Sequence, residues 1–344
     1  MRILTAHQSA FTVSAMGDDR TAELTETARQ ALAEVLGPDT VISCLHPLTS
    51  GASRNSWVLE AGPAGTPAGR YVLQKEMIPP DPAAPPEERP LAMTAQAVLV
   101  DRAGALGVPV ARTITAGERD GLGFIISEFV GGEALPPRLL RDPELEDARG
   151  RLTGDCAAAL AAIHRVDPAG LGLVEQDKLA LYRRRLDQID EARPVLELGY
   201  RWLAAHRPPP GPAAVVHGDF RLGNLMVDRD GLRAVLDWEL AHLGDPHEDV
   251  AWATLRAWRF DKHRPPGVFP EPDEWATAYD RATGGRILDP DALRWWQVAG
   301  TWFWAVISAM QARRHLSGMV RSLEHAVIGR RVCESEWDLL EQLP

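Results

Sequence analysis

Between 215 and 249 the chain reads VVHGDFRLGNLMVDRDGLRAVLDWELAHLGDPHED, and this stretch constrains the fold more than any other. Val215 and Val216 suit the end of a short strand. The runs 225–227 and 232–236 suit two more, joined by a hairpin turn at Asp230 and Gly231. That alternation brings the loop at 217–224 and the loop opening at Asp237 to the same end of a small hairpin. Asp219, Asn224 and Asp237 can then converge on one point. Three oxygen-bearing side chains gathered in a cleft suit a hard cation such as Mg²⁺, which takes one or two carboxylates and fills its other sites with phosphate oxygens and water.

The spacing His217-x-Asp219-x-x-x-x-Asn224, with Asp237 thirteen residues further on, resembles the catalytic loop and metal-binding Asp of the protein-kinase superfamily. His-Gly-Asp stands where protein kinases carry His-Arg-Asp, and Leu-Asp-Trp-Glu where they carry Asp-Phe-Gly. The chain is therefore more similar to the aminoglycoside phosphotransferase and choline kinase branch, which phosphorylates small molecules. HGDFRLGN, LDWELAHLGDP and WWQVAGTWFWAVISAMQARRHLSG most resemble the kinase-like half of the acyl-CoA dehydrogenase 10 and 11 chains and their free-standing bacterial relatives.

This resemblance implies an α+β, two-lobed protein-kinase-like fold over roughly 21–340. A small β-rich, nucleotide-binding N-lobe is expected at 21–132, and a larger, mostly helical C-lobe with the catalytic and acceptor-binding groups at 133–344. Residues 1–20 are expected to be a loose leader, with Met16 an alternative start. The resemblance also implies ATP and Mg²⁺ as cofactors. Asp219 would accept or orient the proton of the acceptor hydroxyl, Asn224 and Asp237 would hold the metal, and Lys75 would steady the phosphates. His217 would brace the loop.

Composition narrows the partners. A net charge of −11 and a pI near 5.4 argue against a dedicated nucleic-acid binder, which would show a basic face. No run of eighteen apolar residues exists, and the nearest, 298–310, reads as a buried helix; no membrane span is expected. Cys44, Cys156 and Cys333 are far apart and odd in number, which suits a reduced, cytoplasmic compartment and apolar packing roles. A monomer or homodimer that meets ATP and a small hydroxyl acceptor is the expectation.

In the first lobe, apolar residues at helical spacing predict a helix over 21–36, stopped by Gly37 and Pro38. Strands are expected at 41–48, 56–60 and 70–76. By resemblance the turn SGASRN at 50–55 covers the nucleotide phosphates through Ser50, Gly51 and Ser53, whose small side chains let backbone N–H groups approach the oxygens; on its own it reads as a plain hairpin turn. Lys75 ends the strand VLQK and is the only lysine of that lobe. A lone strand lysine is usually a solvated charge, yet its scarcity and position favour the phosphate role. Six prolines in 79–90 exclude a regular helix or central strand. On the helix expected at 92–106, the position of the lysine's usual glutamate falls on Gln96, which offers hydrogen bonding but no charge; Glu87 or Glu88 could substitute. The run 123–130 reads as a buried strand, and the resemblance gives the adenine edge to the carbonyl of Glu128 and the N–H of Val130.

In the second lobe, a core helix is expected over 147–164 and a more polar one over 178–205, broken at Pro194. A helix opening near Pro246 would place Asp249 at its N-terminal end, bonding the backbone of the 217–224 loop rather than a metal. Asp245 and, less so, Glu239 are candidates for shaping the site. Four tryptophans in 295–304 cannot all face one side of a helix, so one indole should line a cleft or interface. Arg313, Arg314, Arg321, Arg330 and Arg331 give the tail a basic cast. Together these features favour a small-molecule O-phosphotransferase for a hydroxyacyl-CoA-like or other anionic hydroxy compound. An aminoglycoside or other antibiotic kinase is the alternative within the fold, and a non-catalytic nucleotide-binding pseudokinase, suggested by Gln96, is the third reading.

Overall fold

Leu24, Ala28, Ala31 and Leu32 recur on one side of helix α1 (Asp18–Leu36), and burying that stripe is what fixes the helix against the strands that follow. The computed structural model describes residues 18–48, 55–189, 191–258, 271–285, 287–320 and 322–344. Helix α1 thus begins inside the expected leader, whose residues 1–17 lie outside those described. Gly37, at φ 110°, lets the chain leave the helix in a left-handed conformation.

Strands β1 (Thr40–Leu48), β2 (Asn55–Pro63) and β3 (Gly69–Lys75) form an antiparallel meander. The hairpin of β4 (Thr113–Arg119) and β5 (Leu122–Glu128) completes a five-stranded sheet of order β1-β2-β3-β5-β4. Strand β4 is an addition to the sequence expectation. Its signal is the pair Asp120 and Gly121, at φ 54° and 74°, which are the two left-handed positions of a tight hairpin turn. Trp57, Leu59, Leu73, Phe124 and Ile126 alternate inward and meet the apolar face of α1.

Packing divides the chain differently from a single cut at 132/133. One unit takes in the described residues up to Met77 together with Ile114–Ser127; the other takes Ile78–Thr113 and Glu128–Pro344. Helix α2 (Met93–Ala105) belongs to the second unit because Leu99 and Ala103 enter its core. The proline-rich segment before it holds only a short 3₁₀ turn at Pro86–Glu88.

The second unit continues with α3 (Pro136–Arg141), α4 (Glu146–Ile163), α5 (Lys178–Asp187) and α6 (Pro194–Ala205). Pro194 opens α6, as a residue without a backbone N–H can in a first turn. Then come β6 (Ala214–Val216), β7 (Leu225–Asp228), β8 (Gly231–Val235), β9 (His242–Gly244) and α7 (His247–Ala253). A 3₁₀ turn at Arg256–Trp258, α8 (Pro272–Thr283), α9 (Pro290–Leu316), α10 (Leu323–Gly329) and α11 (Val332–Gln342) complete it. One core joins α2, α4 and α8 to the short strands; a second joins α5, α6, α9 and α11. Cys156 is buried in the first of these, and burial pushes its thiol pKa up; Cys333, against the packing expectation, is exposed. Among the described residues no helix is long and apolar enough to cross a membrane.

Candidate active site

Two antiparallel pairs, β6 with β9 and β7 with β8, carry the loops of interest. Asp228 pairs with Gly231, so the turn proper is Arg229 and Asp230, one residue earlier than expected, and Gly231 at φ 114° takes the left-handed position. Between β6 and β7 the loop is pinned by its own side chains. Asp219 N–H donates to His217 Nδ1 (3.2 Å), and His217 Nε2 lies 3.1 Å from the carbonyl of Leu236. A ring that accepts at Nδ1 must donate from Nε2, which is the neutral tautomer. Burial pushes the His217 pKa below its ordinary value, so the neutral ring persists. It is the expected brace.

The Asp219 carboxylate is gripped by three side-chain donors. Oδ1 accepts from Arg221 Nε (2.9 Å) and Trp252 Nε1 (2.8 Å), and Oδ2 accepts from Asn224 Nδ2 (2.7 Å). A carboxylate offers about four lone-pair sites, so one remains for an incoming hydroxyl. Asn224 gives its other amide hydrogen to the carbonyl of Asp219 (2.9 Å). Both hydrogens are thereby used, and its Oδ1 is left as an oxygen donor. Leu236 N–H donates to the carbonyl of Asn224 (2.8 Å), which extends the β7–β8 ladder by one rung and sets Asp237 one residue beyond Asn224's partner. There the chain turns sharply: Asp237 has φ 62°, the left-handed region that Asp tolerates better than most residues. Such strain is typical of positions where a side chain must be aimed.

Asp249, in the first turn of α7, is fully buried and accepts from the N–H groups of His217 (2.7 Å, Oδ2) and Gly218 (2.9 Å, Oδ1). The expected backbone role is therefore observed. Gly218, at φ 81°, admits no side chain, because a Cβ there would meet the Leu240 carbonyl at 2.5 Å. The sequence did not reveal the far side of this brace. His164, which caps α4, reaches Asp249 Oδ2 at 3.2 Å and Tyr279 OH at 2.7 Å. Burial raises the Tyr279 pKa, so its O–H is available to donate to His164 Nδ1. Burial alone would raise the Asp249 pKa, but the bonds from His164 and the His217 N–H more than offset it, and its carboxyl lies below its ordinary value.

Lys75 ends β3 almost wholly buried, 2% exposed, and its Nζ lies 2.9 Å from Glu23 Oε1 on α1. The acid that holds the lysine within its own unit is thus Glu23. Glu87 and Glu88, the expected substitutes, belong to the other unit, where they bind Arg184 at 3.4 and 3.2 Å. Gln96 is buried in α2 of the second unit and donates to the Leu91 carbonyl (2.5 Å). Glu128 ends β5, where its N–H bonds the Arg112 carbonyl (2.9 Å) and its carboxylate pairs with the Arg112 guanidinium (2.5 Å); Val130 follows, half-buried. Ser50, Gly51 and Ser53 lie outside the described residues.

Asp245 accepts from the His247 N–H (3.0 Å) and ring (2.6 Å), which fastens the entry to α7. The tryptophans of α9 differ in their surroundings. Trp295 and Trp302 are buried, with indole N–H groups on the carbonyls of Leu203 (2.9 Å) and Leu196 (2.8 Å). Trp304 instead meets Trp258 edge-on at 4.6 Å, and Trp258 lies 5.4 Å from Trp252, whose N–H holds Asp219. Of the tail arginines, Arg313 donates to the Ile189 carbonyl, and Arg331 binds the Ala257 carbonyl (2.9 Å) and Glu334 (3.1 Å). Arg321 lies outside the described residues.

The chain has relatives among known proteins. The model of the APH phosphotransferase enzyme family matches residues 45–296. Acyl-CoA dehydrogenase family member 10 from Mus musculus is 32% identical over 164 residues, which is 43% of this chain and 15% of that protein. The chain therefore spans only a small part of that relative's length. A candidate aminoglycoside phosphotransferase from Ralstonia eutropha has a TM-score of 0.68 at 23% identity, covering 94% of this chain and 98% of its own. A spectinomycin phosphotransferase, solved with ADP and spectinomycin, has a TM-score of 0.62 at 13% identity and covers 92% and 98%. At these identities the two structures share the fold. The family match, however, runs from β1 through the 217–224 loop and Asp237 into α9, and on it the chain belongs to the phosphotransferase enzyme family.

Proposed function

We propose that the protein is an ATP- and Mg²⁺-dependent kinase that phosphorylates a hydroxyl group of a small molecule. The observation that carries this reading is the Asp219 carboxylate, fixed by three donors with one lone-pair site to spare. Asp219 orients the acceptor hydroxyl and takes its proton as the oxygen bonds the terminal phosphorus of ATP and the bond from that phosphorus to the bridging oxygen breaks, releasing ADP. Phosphoryl transfer asks little covalent chemistry of a protein, so positioning and electrostatics supply most of the acceleration. The spectinomycin phosphotransferase of the same fold binds ADP, which supports a nucleotide donor here. The three unpaired cysteines support a reducing, cytoplasmic setting.

The residues fit a magnesium ion. Asn224 Oδ1 is the oxygen left over when both amide hydrogens are used, and Asp237 adds a carboxylate held in a strained backbone position. One carboxylate with one neutral oxygen is the modest protein share that suits Mg²⁺ carried on phosphates. Bound there, the ion would neutralise charge on the transferring group. Asp237→Ala should raise the Mg²⁺ and nucleotide concentrations needed for half-maximal turnover by an order of magnitude or more. Isothermal titration with the nucleotide, with and without Mg²⁺, reads this directly. Unchanged metal dependence would remove Asp237 from the metal site.

Lys75 steadies the phosphates, and Glu23 fixes the direction of its ammonium. Glu23→Gln keeps a hydrogen-bond acceptor but removes the charge, so it should raise the KM for ATP by about 3–10-fold, since charge-assisted bonds are roughly twice as strong as neutral ones. Lys75→Ala should cost more. A Glu23→Gln enzyme with wild-type ATP kinetics would show that α1 takes no part in nucleotide binding.

The anionic, hydroxyacyl-CoA-like acceptor suggested by the tail loses part of its support, because Arg313 and Arg331 are committed to carbonyls and to Glu334.

A further inference from the structure

Folded proteins pair nearly all their buried polar atoms, so a cluster of unpaired ones calls for an explanation. Among the described residues, seven buried side-chain nitrogen or oxygen atoms have no hydrogen-bond partner, and five of them belong to the 256–258 turn, α9 and α10: Trp258 Nε1, Trp304 Nε1, Ser308 Oγ, Gln311 Oε1 and His325 Nδ1. Trp304, Ser308 and Gln311 stand at i, i+4 and i+7 of α9 and so form one stripe along the helix. His325 is on α10, which lies so close to α9 that a Cβ on Gly329 would meet that of Ala312 at 2.5 Å. Ser308, His325 and Trp258 are 0%, 4% and 6% exposed, so bulk water does not satisfy them.

Two other indoles of the same helix do find partners. Trp295 and Trp302 each place their N–H on a backbone carbonyl. Trp258 and Trp304 do not, and they are the two that connect to the catalytic loop. Trp258 packs on Trp304 on one side and Trp252 on the other, Trp252 donates to Asp219, and the Arg221 guanidinium stacks over Trp258 at 4.6 Å. The unpaired row thus begins two rings from the Asp219 carboxylate.

We propose that this row is a binding subsite for the part of the acceptor that lies beyond its reacting hydroxyl, and that it takes an uncharged, oxygen-rich group such as a polyol or a hydroxy amide. The inventory selects that chemistry. Two indole N–H groups seek carbonyl, ether or hydroxyl oxygens; Gln311 Oε1 seeks an O–H or N–H; Ser308 can serve either way. The five residues of the row include no carboxylate, lysine or arginine, and the one guanidinium stacked on it, that of Arg221, donates to Asp219 and to the Leu222 carbonyl. Flat indole faces cover the apolar carbons of such a molecule. A site built on hydrogen bonds rejects ligands that leave its groups unpaired, and this gives the row its selectivity.

The inference rests on Asp219 being the group that receives the hydroxyl, and its test separates the two. The full chain, saturated with a non-hydrolysable ATP analogue and Mg²⁺, is titrated with neutral polyols and hydroxy amides, with kanamycin, and with phosphorylated sugars, and tryptophan fluorescence is followed. Saturable binding is expected from at least one neutral compound. It should weaken at least fivefold in Trp304→Phe, which removes the N–H but keeps the ring, and in Gln311→Ala, with thermal unfolding and the KM for ATP unchanged in both. Binding only by kanamycin or the phosphorylated sugars, no saturable response to any neutral compound, or equal affinity in the variants would each overturn the subsite. If a neutral compound binds as described but is not phosphorylated, the subsite stands and the kinase reading fails.

Discussion

Replacing Asp219 by alanine should lower phosphoryl transfer by about 10²–10⁴-fold, the range for loss of a positioned general base, while leaving nucleotide affinity nearly intact. The two effects separate because, in the proposed function, the carboxylate meets the acceptor hydroxyl and not the nucleotide. Its three donors come from Arg221, Asn224 and Trp252, and the substitution leaves all three N–H groups without their shared acceptor. Some local loosening is therefore expected, and circular dichroism with thermal unfolding should show the variant folded. Asp219→Asn makes a second comparison. Its amide keeps an oxygen for Trp252 and Arg221 but turns an N–H towards Asn224 Nδ2, placing donor against donor. It should lose turnover with a smaller loss of stability than alanine causes. Loss of nucleotide binding equal to the loss of turnover would contradict the role given to Asp219.

Asp249→Ala should be the most destabilising single change at the site, costing about 3–5 kcal/mol, the usual range for removing one partner of a buried charged network. It strips the acceptor from two consecutive backbone N–H groups and from His164, and no solvent reaches the fully buried position to replace it. Urea denaturation measures the loss. The same carboxylate contributes to acid sensitivity. Its pKa is lower folded than its ordinary value of 3.8, so the folded protein binds the proton less readily than the unfolded chain. The stabilisation is complete well above pH 3.8 and fades as pH falls from there through the folded-state pKa. Asp249→Asn should accordingly be less stable than wild type at neutral pH, and its stability should fall less steeply below about pH 4. Parallel acid curves for the two proteins would show that Asp249 does not carry this dependence.

Much of the site was legible because it is local. His217, Asp219, Asn224 and Asp237 lie within one strand-loop-hairpin passage, and the alternation of apolar runs with Asp and Gly turns fixes their order in space. Asp249 could also be read, since an acid in the first turn of a short helix has few roles other than binding backbone N–H groups. What escaped was long-range. Glu23 meets Lys75 across 52 residues of chain, and α1 offered only an amphipathic pattern, which says which face is buried but not what an acid at its rim will touch. Trp252 reaches Asp219 across 33 residues, and His164 reaches Asp249 across 85; no spacing rule links such pairs. The tail misled for a related reason. Counting arginines gave a cationic patch, but charge in a sequence does not show that Arg313 and Arg331 are committed to backbone carbonyls. Strand β4, by contrast, carried a readable Asp-Gly hairpin signal in Asp120 and Gly121.

The most direct test of the account is ³¹P NMR of the purified chain with ATP and Mg²⁺ against a panel of polyols, hydroxy amides, hydroxyacyl-CoAs, amino alcohols and aminoglycosides. The expected result is Mg²⁺-dependent formation of ADP together with a phosphomonoester on one class of hydroxyl acceptor, both abolished in Asp219→Ala. ATP left intact with every acceptor, or a phosphomonoester that forms equally well in Asp219→Ala, would contradict the claim that this loop is the catalytic centre of a small-molecule kinase.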